Sequence, residues 1–272
     1  MSSRRTFPEH TDAVPVNSAE RLCVRQLVVG YGPVPVVRGV SLTAAPGQLI
    51  AVIGPNGSGK STMVKGIMGI VRPTEGAVEY GGREFQGLRP DEIVRAGIGY
   101  VPQVADIFGN LTVSENLDIG GYTGRNGRAQ RKSEVLGIFP MLGGKLKQQA
   151  QTLSGGERRT LAVARALMAR PSVILLDEPS AGLAPAAVRL LQEHLRALRD
   201  SGLVLVVVEQ NVRAVLAIAD WVHVLVDGRS VLTGTGAELG RDLHALGRVF
   251  MGQTLPAKAP TADEPPPRAE NA

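Results

Sequence analysis

The sequence predicts an α/β fold in which a mixed or parallel sheet carries a glycine-rich turn, with an antiparallel β-subdomain beside it and an inserted helical subdomain. Three observations lead to this prediction. A glycine-rich segment, residues 54–62, separates a short apolar run from a helical pattern. Two runs, residues 173–176 and 204–208, are apolar throughout, as in parallel strands covered on both faces. Residues 104–169 contain helical patterns and few β-branched runs.

The first predicted elements form the antiparallel β-subdomain. Residues 22–29 and 36–42 carry β-branched side chains and flank a turn-rich segment that contains Gly30-Tyr31-Gly32. Further along the chain, the spacing of apolar side chains predicts helices at residues 113–117, 128–139, 155–169 and 185–199.

The predicted globular domain comprises residues 21–252, with the helical subdomain at about 104–169. The flanking segments, 1–20 and 253–272, combine proline with polar and charged residues and show no hydrophobic period, so both are predicted to be disordered. The prolines of the tail also leave open a docking motif in the extended proline-rich conformation.

Composition excludes several classes of protein. The chain has 272 residues, a formal net charge of +5 and one cysteine, which excludes a disulfide framework and a cysteine-rich metal site. No apolar run approaches the roughly 18–20 residues that span a bilayer, and the polar N-terminus lacks a secretory signal. We therefore expect the chain to stay in the cytoplasm. Its basic charge fits a solvated surface, and would also suit anionic lipid or nucleic acid.

The glycine-rich segment is predicted to bind the phosphates of a nucleoside triphosphate. Glycines let backbone N–H groups close around phosphates, and the following helix N-terminus adds partial positive charge. Lys60 is expected to reach the β- and γ-phosphates, and Ser61 to bind Mg²⁺. A glycine-rich turn without a ligand is the alternative. The predicted nucleotide-binding residues are Gly54, Pro55, Asn56, Gly57, Ser58, Gly59, Lys60, Ser61 and Thr62.

Two carboxylates follow the apolar run at residues 173–176. They would lie at the carboxyl end of a parallel strand, where open parallel sheets bind their ligands. Asp177 is predicted to hold Mg²⁺, and Glu178 to polarise the attacking water. The alternative is that both residues only favour the start of a helix, as acidic residues do.

A third segment, Leu153-Ser154-Gly155-Gly156-Glu157, opens the amphipathic helix predicted at 155–169. Ser154 can cap this helix, and the two glycines allow an anion to approach its N-terminus closely. By itself the segment could be an ordinary capped helix start. Arg158 and Arg159 are predicted to be solvated at the beginning of that helix.

Together these motifs resemble ATP-binding cassette (ABC) ATPases in order and spacing over about residues 22–252. The resemblance adds Tyr31 and Gln103 to the candidate site and implies ATP and Mg²⁺ as ligands. It implies that Tyr31 stacks on adenine and that Gln103 senses the γ-phosphate and Mg²⁺. Cassettes of this family pair head to tail, so Ser154 and Gly156 would contact nucleotide held by a second ABC ATPase subunit.

Within the family, residues 109–117, 177–185 and 208–211 resemble the ATPases of branched-chain amino acid or urea importers. This resemblance implies ATP-driven import of a small polar solute. It further implies integral-membrane permease subunits, indirectly a solute-binding protein, no nucleic acid partner, and a location on the cytoplasmic face of the inner membrane.

Two positions depart from the pattern of most cassettes. Gln210 stands where most have histidine, and residues 182–184 lack a common aspartate. Both departures are found in the branched-chain group. We expect Gln210 and Gln103 to position the attacking water that Glu178 activates. An ABC ATPase that acts on nucleic acid, and a regulatory module without turnover, are the alternatives.

Overall fold

The computed structural model describes residues 21–104, 107–122, 127–251 and 253. The predicted terminal segments, 1–20 and 253–272, lie outside the described residues apart from Gln253. Their disorder and the docking motif in the tail therefore stay predictions.

The described strands and helices alternate over most of the chain. The strands are β1 (Leu22–Val29), β2 (Val37–Ala44), β3 (Leu49–Ile53), β4 (Glu75–Tyr80), β5 (Arg83–Glu84), β6 (Ile98–Val101), β7 (Val173–Asp177), β8 (Val204–Glu209), β9 (Trp221–Val226) and β10 (Arg229–Gly234). The helices are α1 (Lys60–Ile67), α2 (Pro90–Arg95), α3 (Val113–Gly120), α4 (Arg128–Ile138), α5 (Pro140–Gly143), α6 (Gly155–Leu167), α7 (Pro185–Asp200), α8 (Val212–Leu216), α9 (Gly236–Gly240) and α10 (Leu243–Phe250), with a 3₁₀ turn at Ala150–Thr152.

An antiparallel sheet of order β2-β1-β4-β5 forms the first layer. A bulge interrupts β1 after Val24, where Gln26 adopts a φ of 45° and its backbone N–H donates to Ser41 Oγ. The extra residue shifts the alternation by one position, so Leu27 faces the same core as Val24. The antiparallel β-subdomain predicted from the sequence is thus present.

The second sheet has the order β10-β9-β3-β8-β7-β6 and is parallel from β9 to β6, with β10 antiparallel at one edge. Its central strands β3, β7 and β8 are buried at every residue, which explains their unbroken apolar runs. Because the strands are parallel, the residues that follow β3, β6, β7 and β8 meet at one edge of the sheet. That edge carries the candidate site.

Helices α3 to α6 are inserted between β6 and β7, and α3 packs against α6. Thr112 caps α3 and Ser154 caps α6, each in a capping box with a glutamate three residues later. A mixed α/β fold with an antiparallel sheet and a helical insertion is therefore confirmed. No described helix combines the length and the apolar character that crossing a bilayer requires.

The parallel sheet separates two hydrophobic cores. Leu49, Ala51 and Ile53 of β3 pack into the core shared with the helical insertion, whereas Ile50 and Val52 pack into the core beneath the antiparallel sheet. Complete burial of each leucine, isoleucine or valine side chain among them contributes about 1.5–3 kcal/mol. The central strand, and with it the loop that follows, is therefore held from both faces.

Candidate active site at the carboxyl edge of the parallel sheet

The glycine-rich loop runs from the end of β3 to the start of α1. A Cβ on Gly54 would lie 2.1 Å from the carbonyl oxygen of Leu225 in β9, so the backbones approach more closely than any side chain permits. Gly57 and Gly59 have φ values of 79° and 101°, which favour glycine. Packing and backbone conformation both require glycine at these positions.

Lys60 begins α1 and is 4% exposed. Its ammonium donates to the carbonyl oxygens of Gly54 and Pro55, at 2.8 Å each. Burial lowers the pKa of Lys60, and the nearby carboxylates of Glu178 and Asp177 oppose that shift. The cation is thus held inside the loop by weak neutral acceptors, which a phosphate oxygen could replace.

The remaining loop residues divide between the surface and the interior. Asn56 and Gly57 are exposed at the tip, while Thr62 is buried on α1. Ser58 Oγ is buried and has no hydrogen-bond partner among the described residues. Its hydroxyl group therefore points to a missing polar ligand.

The N-terminus of α1 is also without a side-chain cap. Its N-cap residue, Gly59, makes no side-chain hydrogen bond, and the first turn contains no acidic residue. The first N–H groups of a helix have no acceptor within the helix, and together they favour an anion. With the orphaned hydroxyl of Ser58, this end of α1 fits a phosphate group.

The carboxylate of Asp177, the last residue of β7, joins helix α1 and strand β6 to β7. Ser61 Oγ donates to its Oδ1 at 2.8 Å, and the Tyr100 hydroxyl donates to its Oδ2 at 3.3 Å. Burial raises the pKa of Asp177, and the hydrogen bond from Ser61 opposes this shift. A hydroxyl and a carboxylate oxygen at 2.8 Å fit Mg²⁺, which takes few protein ligands besides phosphate and water.

Glu178 lies between two glutamine amides. Gln103 Nε2 donates to its Oε2 at 2.7 Å, and Gln210 Nε2 donates to its Oε1. Glu178 is 6% exposed, whereas both glutamines are exposed, so the two amides cover the carboxylate from the solvent side. We call this arrangement the amide clamp. The backbone φ of Glu178 is 45°. Non-glycine residues seldom adopt such a value, and those that do cluster at functional sites.

Glu209, the last residue of β8, belongs to this network but is not among the site residues that the sequence predicts. Its Oε1 accepts from Ser180 N at 2.7 Å, and its Oε2 accepts from Gln210 N and Asn211 N at 3.1 and 3.3 Å. Burial raises the pKa of this carboxyl group. Glu209 thereby fixes the turn after Glu178 to the segment that carries Gln210. A charged residue ending a run of valines was the available signal.

The segment 153–156 lies apart from this network. Ser154 and Gly155 are exposed, and the hydrogen bonds of Ser154 in the described structure stay within α6. A Cβ on Gly156 would lie 2.9 Å from Ala187 Cβ, so packing against α7 also favours glycine there. Tyr31 is likewise outside the network, 66% exposed in the loop after β1.

One expectation for the start of α6 was wrong. Arg158 is exposed, as predicted, and donates to the Leu153 carbonyl. Arg159 is only 7% exposed, and its guanidinium donates to the carbonyl oxygens of Pro102 and Gln103. The sequence reading failed because both acceptors are backbone carbonyls more than 50 residues away.

Comparisons with known proteins place this geometry in a family. The sequence profile of the ABC transporter family matches residues 37–181, which include the glycine-rich loop, the segment 153–156 and both carboxylates. BraG, a high-affinity branched-chain amino acid transport ATP-binding protein of Pseudomonas aeruginosa, is 40% identical over 77% of this chain and 90% of its own length. The chain belongs to the ABC transporter family. Membership indicates that it binds and hydrolyses ATP.

Other members of the ABC transporter family differ in the transport that their names describe. LivF of Archaeoglobus fulgidus, a probable branched-chain amino acid transport ATP-binding protein, is 40% identical over 79% of this chain and 92% of its own length. LptB of Escherichia coli belongs to a lipopolysaccharide export system and is 36% identical over 85% of this chain and 97% of its own length.

Solved ABC cassettes share the fold. The ADP conformation of one ATP-binding cassette superposes with a TM-score of 0.78 at 26% identity, over 86% of this chain and 99% of that one. A dimeric bacterial ABC transporter cassette gives 0.70 at 26% identity, over 79% of this chain and 98% of that one.

The hydrogen bonds of the Glu209 carboxylate should stabilise the fold of this ABC ATPase. We expect Glu209→Ala to lose about 2 kcal/mol of stability, because the buried N–H of Ser180 then has no acceptor. For a chain of this size that corresponds to a fall in Tm of roughly 4–8 °C. Thermal unfolding followed by circular dichroism measures it, with the exposed Glu193→Ala as control. Equal Tm values for the two variants would contradict a supporting role for Glu209.

Proposed function

We propose that the chain is the ATP-hydrolysing subunit of an ABC transporter that imports a small polar solute, and that Glu178 is the catalytic carboxylate. The amide clamp carries the catalytic part of this proposal. A buried carboxylate beneath two exposed amides can accept a proton from water as soon as the amides part. Gln103 and Gln210 then hold that water in position.

The remaining roles follow from the contacts around the clamp. Lys60 exchanges its two loop carbonyls for phosphate oxygens and stabilises the charge that develops on them. Ser61, Asp177 and the side-chain oxygen of Gln103 are the proposed ligands of Mg²⁺. That ion, when bound, neutralises negative charge on the phosphates.

We further propose that two ABC ATPase subunits complete each other's sites. Support comes from the exposure of Ser154 and Gly155 at the N-terminus of α6, which leaves them free to meet nucleotide on a second subunit. Exposure of Tyr31 fits stacking on an adenine ring that enters from solvent. The relative described as a dimeric cassette supports pairing in the family.

Permease subunits are the proposed partners on another surface. Val104 and Phe108, which flank the segment after Gln103, are 73% and 46% exposed. Asn116 is fully buried and its side chain donates to the Phe108 carbonyl, which fixes the backbone at Phe108. Apolar side chains displayed in this way are typical of protein contacts. The subunit would then lie at the cytoplasmic face of the inner membrane.

Branched-chain amino acids are the proposed solute, because BraG and LivF carry that function in their names. Import of urea, an amide or another solute by the same arrangement is an alternative within this class. Export is the second candidate, since LptB covers more of the chain at slightly lower identity.

Affinity purification tests the transport part of this proposal. The tagged chain, solubilised gently from native membranes, is expected to recover polytopic permease subunits and a second ABC ATPase. Cells that lack the gene for this chain are then supplied with the wild-type chain, and their uptake of radiolabelled leucine tests the solute. The same cells supplied with the Glu178→Gln chain are the inactive control. Recovery of nucleic acid or of a membrane-free complex would contradict the transporter assignment.

A further inference from the structure

The guanidinium of Arg159 joins the helical insertion to the segment that carries Gln103. Arg159 lies one turn into α6, and its Nη1 and Nη2 donate to the carbonyl oxygens of Pro102 and Gln103, both at 3.0 Å. These two acceptors are consecutive, so the planar fork of one side chain fixes both peptide groups at once.

Burying the guanidinium of Arg159 costs free energy unless its N–H groups form hydrogen bonds. Arg159 is 7% exposed, and a buried cation must be satisfied by hydrogen bonds in order to be retained. Only arginine has the rigid two-pronged geometry that serves two adjacent carbonyls, since lysine is a single point charge on a flexible stem. The two hydrogen bonds therefore depend on the orientation of the guanidinium as well as on its charge.

The same peptide groups determine where the side chain of Gln103 lies. Gln103 donates to Glu178 at 2.7 Å, so a line of contacts runs from α6 through Arg159 and Gln103 to the carboxylate. Its first member, α6, follows the exposed N-cap residue Ser154 and is one continuous helix of 13 residues. A hydrogen bond weakens steeply once its length passes about 3.2–3.5 Å, so small shifts of α6 relative to β7 are transmitted to the amide clamp.

We infer that Arg159 is a positioning residue for ATP hydrolysis and that it couples helix α6 to the amide clamp through the backbone of Gln103. The inference rests on the proposed function of Glu178 and Gln103.

A double-mutant cycle on the full-length chain tests the coupling. We expect Arg159→Met to lower kcat by about 10–100-fold, because Gln103 is displaced, while the Kd for a fluorescent ATP analogue changes by less than about threefold. In the Gln103→Ala background the same substitution should change kcat by less than about threefold, since the residue through which it acts is absent.

Arg131 of α4 offers a matched control, because it contacts the opposite end of α6. Its guanidinium donates twice to the Leu167 carbonyl at the end of α6, far along the chain from Gln103. Arg131→Met should lower Tm as Arg159→Met does, yet leave kcat within about threefold of the wild type. If Arg159→Met does not fold, the cycle is run with Arg159→Lys, which keeps the charge and loses the fork.

Equal losses of kcat in the wild-type and Gln103→Ala backgrounds would overturn the inference, because Arg159 would then act on folding or on another part of the site. So would equal losses from Arg131→Met and Arg159→Met. Hydrolysis by the wild type and its loss in Glu178→Gln are measured alongside. These two measurements test the proposed function independently of the result of the double-mutant cycle.

Discussion

Glu178→Gln is expected to lower the turnover of ATP by about 10³-fold while ATP is still bound. Glutamine has nearly the shape of glutamate, but its amide cannot accept a proton from water. The amide clamp adds a second effect. Both neighbours present N–H donors to the carboxylate, and a glutamine at this position can accept on only one side, so Gln103 or Gln210 must turn away.

Steady-state release of phosphate measures the loss, and titration calorimetry with Mg²⁺-ATP checks that binding persists. Because we propose that hydrolysis separates the paired subunits, gel filtration of Glu178→Gln should also show an ATP-dependent shift to a dimer. The exposed Glu193→Gln on α7 changes the same charge and should behave as the wild type in all three measurements. Turnover within about tenfold of the wild type would contradict the role assigned to Glu178.

Lys60→Ala is expected to lower turnover by about 10²–10³-fold, which is about 3–4 kcal/mol of transition-state stabilisation. Lys60 is a cation enclosed by the phosphate loop with only backbone carbonyls as acceptors, so its interaction with phosphate charge is made in a largely water-free site. Alanine leaves the glycines of the loop unchanged and removes the charge together with the buried aliphatic part of the Lys60 side chain.

Phosphate release and thermal unfolding are measured on the same preparation of Lys60→Ala, so that a loss of activity is not mistaken for a loss of folding. The exposed Lys147→Ala in the helical insertion is the control for net charge. Unchanged hydrolysis in a folded Lys60→Ala chain would contradict the assignment of the glycine-rich loop as the site of turnover.

Features that depend on neighbouring residues in the chain could be predicted from the sequence. The loop 54–62 needs glycine for its backbone conformation, and β7 and β8 are apolar up to their last residue because both of their faces are buried. The predicted helices at 113–117, 128–139, 155–169 and 185–199 correspond to α3, α4, α6 and α7 within a few residues. Local spacing of apolar residues predicts all four, and the capping boxes that begin at Thr112 and Ser154 also mark the starts of α3 and α6.

Contacts between distant residues could not be predicted from those rules. Gln103 and Glu178 are 75 positions apart, and Glu178 and Gln210 are 32 apart, yet the ends of three parallel strands bring them together. Family resemblance had named these residues, and the structure adds how they touch. Nothing in the local pattern distinguished the buried Arg159 from the exposed Arg158.

A predicted phosphate-binding loop, two acidic residues after a buried strand and a capped helix start can all be read from residue types within a few positions of one another. The hydrogen bonds between distant groups follow from the folded packing instead. Three examples are the amide clamp on Glu178, the support of its turn by Glu209, and the fork of Arg159 on the carbonyls beside Gln103. The reason is physical: hydrogen bonds require atoms about 3 Å apart in correct orientation, and the packing of the sheet and the helical insertion sets those positions.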